Sequence, residues 1–202
     1  VTLTEMINHS KSVRMGVKKS LMVVDMPYNT YATNTSALKN AKKIIKYTKC
    51  DAVKLEGGKK IIKQIKFLIK NKIKVMGHLG LLPQTTKGKF KSKGKTNKQK
   101  KQLLNDAISL EKSGVFAIVL ECVKSSVAKQ ITQQLKIPTI GIGSSVHCDG
   151  QVLVTDDLIG LNDINIRFVK KFVNIKRYLN LGLRKFTSEV KSKKYPQKKH
   201  SY

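Results

Sequence analysis

Acidic residues are scarce in this chain. Only 12 Asp and Glu stand against 41 Lys and Arg among 202 residues, giving a formal net charge of +29. Tryptophan is absent and cysteine is rare. The three cysteines, Cys50, Cys122 and Cys148, are odd in number and form no CxxC pair. That excludes a disulfide framework and a cysteine-built zinc site, and the expected compartment is reducing and cytoplasmic. No apolar run approaches the ~20 residues of a membrane span, and no signal-peptide pattern opens the chain. Arginine is scarce too: Arg14, Arg167, Arg177 and Arg184 are its only representatives among the 41 basic residues. Base and phosphate recognition favours the bidentate fork of Arg. The lysines are also spread over nearly every helix-like segment instead of forming one arm. The excess reads as drift of exposed positions toward Lys on an ordinary fold. A Lys-rich nucleic-acid-binding or ribosome-associated protein is the alternative outside enzymes.

The chain does contain a series of short apolar runs. They are Leu21–Asp25, Ala52–Glu56, Lys74–His78, Ile118–Glu121 and Thr139–Gly143, with a weaker sixth at Gln151–Val154. Continuous runs of this length suit strands buried on both faces, as in a parallel sheet covered by helices. Helical stripes alternate with them, on Leu38, Ala41, Ile44 and Ile45, then on Ile61, Ile65, Leu68 and Ile69. Further stripes fall on Leu103, Leu104, Ala107 and Ile108, and on Val127, Ile131 and Leu135. Thr2-x-x-Glu5 has the form of a capping box, so a helix opens the chain. One or two amphipathic helices are expected over residues 165–190. The domain is placed at residues 1–190, followed by a solvated tail at 191–202. A closed eight-stranded βα barrel takes ~250 residues, so six strands fall about two βα units short. The stretch 85–101, rich in Lys, Gly, Thr and Ser, reads as a solvated loop, with a lid over the strand ends as the alternative.

Three of the twelve acids, Asp25, Glu56 and Glu121, end these runs, where parallel α/β folds build their sites. Lys54 lies two residues before Glu56 and so on the same strand face. His78 ends a fourth run, and Gly141-Ile142-Gly143-Ser144 forms a glycine-rich turn. Carboxylates in this setting suit a hard cation such as Mg²⁺, and one held away from the metal can act as a general base. Metal and ammonium together suit enolate chemistry on a 2-oxo acid. Glu121, between Leu120 and Cys122, has the apolar surroundings that make a useful base.

The blocks VVDMPYNTYAT (23–33), VKLEGG (53–58), GHLGLLPQ (77–84), VLECV (119–123) and IPTIGIGSSVHCDGQVLV (137–154) closely resemble the ketopantoate hydroxymethyltransferase family. Five blocks in the family's order, with the closing segment Tyr195–Ser201, carry the resemblance along nearly the whole chain. It implies a TIM-type (β/α)8 barrel of the phosphoenolpyruvate/pyruvate type, a bound Mg²⁺, and 5,10-methylenetetrahydrofolate as one-carbon donor to 3-methyl-2-oxobutanoate. It implies substrate contacts from Asp25, Lys54 and His78, metal ligation by Asp25 and Glu56, and proton acceptance by Glu121. A homo-oligomer is implied as well. An Asp-Ser pair on an earlier strand of the family has no counterpart here. The barrel is therefore expected to lack its first two βα units, and the 202 residues alone to bind Mg²⁺ weakly. Ser144-Ser145-Val146-His147-Cys148 also replaces a turn of smaller residues. Another Mg²⁺-dependent 2-oxo-acid lyase on the same barrel is the alternative within enzymes.

Overall fold

The computed structural model describes residues 1–86, 91–163 and 165–202. The chain divides into two compact units, Val1–Val152 and Leu153–Tyr202. The sequence reading drew its boundary after Val190.

The first unit is a six-stranded, all-parallel sheet with its strands in chain order. These are β1 (Val23–Asp25), β2 (Ala52–Glu56), β3 (Val75–Gly80), β4 (Ala117–Glu121), β5 (Thr139–Ile142) and β6 (Gly150–Gln151). Among the described residues β1 and β6 each have one strand neighbour, so the sheet is a half-barrel. Burial runs almost unbroken along β2 and β4, with Ala52, Val53, Leu55, Ile118 and Leu120 sealed from solvent. Both sheet faces are therefore covered, and the apolar runs are the sequence trace of that arrangement.

The cover comes from α1 (Leu3–Gly16), α2 (Asn34–Thr48), α3 (Ile62–Lys70), α4 (Asn97–Lys112) and α5 (Ser125–Gln134). Each of the five buries one stripe and leaves its lysines outside, as an amphipathic helix on a sheet must. On α2 the stripe is Ala37, Ala41, Ile44 and Thr48; on α4 it is Leu103, Asp106, Ala107 and Leu110. The capping box at Thr2 and Glu5 is present, and Thr33 with Ser36 forms a second at α2.

Two expectations need correction. The sixth strand was placed at Gln151–Val154, but pairing with β5 ends at Gln151, and Val152 and Val154 are exposed. An edge strand with one neighbour stops where the chain turns into the next helix, α6 (Thr155–Leu158). The stretch 85–101 is not simply a solvated loop either. Residues 87–90 lie outside the described residues, but Lys93 bridges to Val123, and its N–H donates 2.8 Å to the Cys122 carbonyl. Gly94 is buried, and α4 begins at Asn97.

In the second unit α6 is followed by irregular chain and by one long helix, α7 (Ile175–Lys191). No residue of α7 is buried, and Leu179, Leu183 and Phe186 each expose more than half of their surface.

Candidate active site

Strand register assembles the site. β1 and β2 pair Asp25 with Lys54, β2 and β3 pair Glu56 with His78, and β3 and β4 pair Gly80 with Glu121. In a parallel sheet neighbouring ends point the same way, so side chains far apart in sequence come to one edge. All five residues singled out from the sequence meet there.

The contacts run as a chain. Lys54 Nζ lies 3.0 Å from Asp25 Oδ2 and 3.1 Å from His78 Nδ1. A lysine ammonium only donates, so Nδ1 accepts and the ring proton sits on Nε2. Nε2 lies 3.3 Å from Glu121 Oε2, and Nδ1 lies 3.8 Å from Glu56 Oε1. His78 is buried, yet Nε2 has no well-aligned hydrogen bond, so its approach to Glu121 is close but off-line. A catalytic hydrogen bond that tightens only with substrate in place would look like this. Asp25 is the open end of the chain, with its side chain 41% exposed, whereas those of His78 and Glu56 are 3% and 5% exposed.

Burial pushes the Glu56 carboxyl above its ordinary range, and the charge of Asp25 adds to the rise. His78, the Gln84 N–H and Lys54 act in the opposite direction. Burial raises the Tyr31 phenol to about 12, with Glu56 and Asp25 adding to it. Cys122 is also pushed up, by burial first and by Glu121 second, so it is a packing residue and not a ready thiolate. Cys148 is likewise buried, and His9, His147 and His200 are exposed and take no part.

Among the described residues no three His, Cys, Asp or Glu side chains form a ready-made metal cage. Two oxygen donors do fit a hard cation. Asp25 and Glu56 repel each other, Glu56 is buried, and Mg²⁺ commonly takes one or two carboxylates together with water and substrate oxygens.

Glu56 opens into a cavity of about 1110 Å³, lined also by Tyr28, Tyr31, Leu79, Gly80 and Asp106. Two glycines shape this edge. Gly80 has φ +97°, and a Cβ there would stand 2.1 Å from the Glu121 carbonyl oxygen. Leu81 N–H instead donates to that carbonyl at 2.8 Å. At Gly58 a Cβ would meet Asp106 Cγ at 2.4 Å, because Asp106 tucks under the turn and accepts from Lys59 N–H at 3.1 Å.

Asp106, Tyr31 and Gln84 were not singled out from the sequence. Asp106 carried a readable sign, an acid within the apolar stripe of α4. Gln84 and Tyr31 lie inside two of the matched blocks but carry no charge to draw the eye.

Comparisons with known proteins bear on the chain as a whole. The sequence profile described as ketopantoate hydroxymethyltransferase matches residues 1–198. The chain is 66% identical to the 3-methyl-2-oxobutanoate hydroxymethyltransferase of Pelagibacter ubique, over all of this chain and 78% of that protein. It is 47% identical to the enzyme of the same name from Clostridium botulinum, over all of this chain and 75% of that protein. Among solved structures, a putative phosphonomutase from Burkholderia cenocepacia superposes with a TM-score of 0.55 at 10% identity, over 95% of this chain and 79% of that one. A phosphonopyruvate hydrolase, crystallised with oxalate and Mg++, gives a TM-score of 0.54 at 9% identity, over 99% of this chain and 73% of that one. These two likenesses concern the fold alone, an α/β half-barrel of the phosphonomutase kind. The family match over residues 1–198 and the identity to named transferases place this chain in the ketopantoate hydroxymethyltransferase family.

Proposed function

We propose that the protein carrying this chain makes ketopantoate by transferring a hydroxymethyl group from 5,10-methylenetetrahydrofolate to 3-methyl-2-oxobutanoate, for pantothenate synthesis. The observation that carries the reading is the unbroken contact chain Asp25–Lys54–His78–Glu121, with Glu56 beside it. In this reading the half-barrel is part of a closed eight-stranded barrel, in a cytoplasmic homo-oligomer.

Asp25 and Glu56 would hold Mg²⁺, which when bound would polarise the 2-oxo group and make the C3 proton more acidic. Lys54 offers its one remaining N–H to the oxo acid, and its ties to Asp25 and His78 hold the ammonium in place. Glu121 takes the proton from C3. His78, held by Lys54 as the Nε2–H tautomer, keeps its proton against Glu121 and orients that carboxylate toward substrate. Water opens the donor's methylene bridge, so that both carbon–nitrogen bonds break, the two nitrogens end protonated as tetrahydrofolate, and the carbon is released at the formaldehyde level. C3 then bonds to that carbon, and its oxygen, which came from water, takes back the proton held by Glu121 and becomes the hydroxyl. Of the five site residues Glu56 lines the cavity of about 1110 Å³, and the folate donor would approach from that side.

The test separates base from metal side. In the full encoded protein, Glu121→Gln should slow exchange of the C3 proton of 3-methyl-2-oxobutanoate with solvent by about 10²- to 10⁴-fold, the usual worth of a positioned base. Mg²⁺ affinity should stay near the parent's. Exchange at the parent rate in the Gln variant would remove Glu121 from this role.

A further inference from the structure

Gln84 is bonded on three sides at the site. Its backbone N–H donates to Glu56 Oε2 at 3.1 Å. Its side-chain Nε2 donates to the Met26 carbonyl at 3.0 Å, and its Oε1 accepts from the Tyr31 hydroxyl at 3.1 Å. The amide orientation follows from chemistry, since a backbone carbonyl only accepts and so faces the NH₂ group. The Tyr31 hydroxyl also lies 3.5 Å from the Glu56 carbonyl. One residue, through its side chain and its backbone N–H, therefore ties together the connection after β1, the end of β2 and the connection after β3.

Glu56 could swing at its terminal torsions, because Oε1 is 3.8 Å from His78 and makes no hydrogen bond at that distance. Among the described residues the hydrogen bond to its carboxylate comes from the Gln84 N–H. That N–H is in place only if the turn Leu82–Thr86 is seated, and the Gln84 amide seats it on Met26 and Tyr31. We propose that Gln84 is a positioning residue whose side-chain latch sets the orientation of Glu56, with Tyr31 as the other half of the latch. The proposal rests on the reading of Glu56 as a carboxylate that must face its cation and substrate. Glutamine suits the position because it has a donor and an acceptor at one reach. Glutamate would set an anion against the Met26 carbonyl, and alanine would leave the turn untethered.

Two measurements on the full encoded protein test it. Outer-shell partners of a metal site typically contribute 10- to 100-fold in affinity or activity. Gln84→Ala should therefore lower kcat/KM by about that much and raise the half-saturating Mg²⁺ concentration. Tyr31→Phe should cost less and add little on top of Gln84→Ala, because both cut the same latch. Gln84→Glu should be no better than Gln84→Ala. Without metal or substrate, amide exchange in a peptide spanning residues 81–86 should speed up in Gln84→Ala by more than exchange in β4 does, with the melting temperature lowered by about 2–4 °C for each kcal/mol lost. Unchanged exchange there, parent-like kcat/KM and Mg²⁺ requirement, strict additivity of the two variants, or recovery by Gln84→Glu would each overturn the latch. If the parent protein forms no ketopantoate, the functional reading fails, and the exchange measurement still judges the latch by itself.

Discussion

The two glycines at the cavity edge differ in how replaceable they are. At Gly80 an alanine would meet a backbone oxygen that cannot move aside, in a left-handed conformation that itself costs about 1–2 kcal/mol. Gly80→Ala should destabilise the fold by about 3 kcal/mol or more and displace Glu121, measured by denaturant unfolding together with the C3 exchange assay. At Gly58 the obstacle is the Asp106 side chain, which can rotate away. The loss is then mainly the acceptor for Lys59 N–H, about 1–3 kcal/mol. Combining Gly58→Ala with Asp106→Ala should cost little more than either change alone, because both remove the same acceptor. The five residues of the site were legible because charged side chains at the ends of apolar runs have few structural reasons to be there. Gln84 was not, because it acts through a backbone N–H and through partners 53 and 58 residues away. Burial places a raised carboxyl pKa at Glu56, which the sequence did not signal. Neighbours along a strand face alternate sides and say little about what covers the carboxylate itself.

Among the elements, the strands were readable because covered parallel strands are apolar throughout, and the helices because their stripes repeat. β6 was misjudged because an edge strand with one partner ends where its pairing ends, not where the apolar residues end. The caps give a direct check on how the helices are held. Thr33 Oγ1 accepts from Ser36 N–H at 3.1 Å, and Thr33→Ala should cost about 1 kcal/mol, a drop of about 2–4 °C in melting temperature. α7 has the opposite character. Its stripe of Leu179, Leu183 and Phe186 was legible as amphipathic, but no residue of the helix is buried. Its amide protons should exchange faster than those of β2, β3 and β4 in native-state exchange. If α7 proves as protected as β4, its apolar stripe is covered in solution.

For the molecule as a whole, the row along the strand ends reads acid, base, acid, imidazole, acid, from Asp25 through Lys54, Glu56 and His78 to Glu121. Three carboxylates in a neutral protein would turn an anionic oxo acid away. Here they sit within a chain of net charge +29, so the far field draws anions in while the near field sorts them. An arriving carboxylate finds Lys54 as its cation and acids on either side, and so turns its charged end one way before any bond is made. Encounter should thus be the ionic-strength-sensitive step. Raising the salt toward 0.15 M, where the screening length is about 8 Å, should lower kcat/KM for the oxo acid and leave kcat nearly flat. A kcat/KM indifferent to salt would show that the lysines are passive surface. In that case the alternating row alone governs how an anion arrives, and the long lysine drift of this chain has passed over its catalytic edge without kinetic effect.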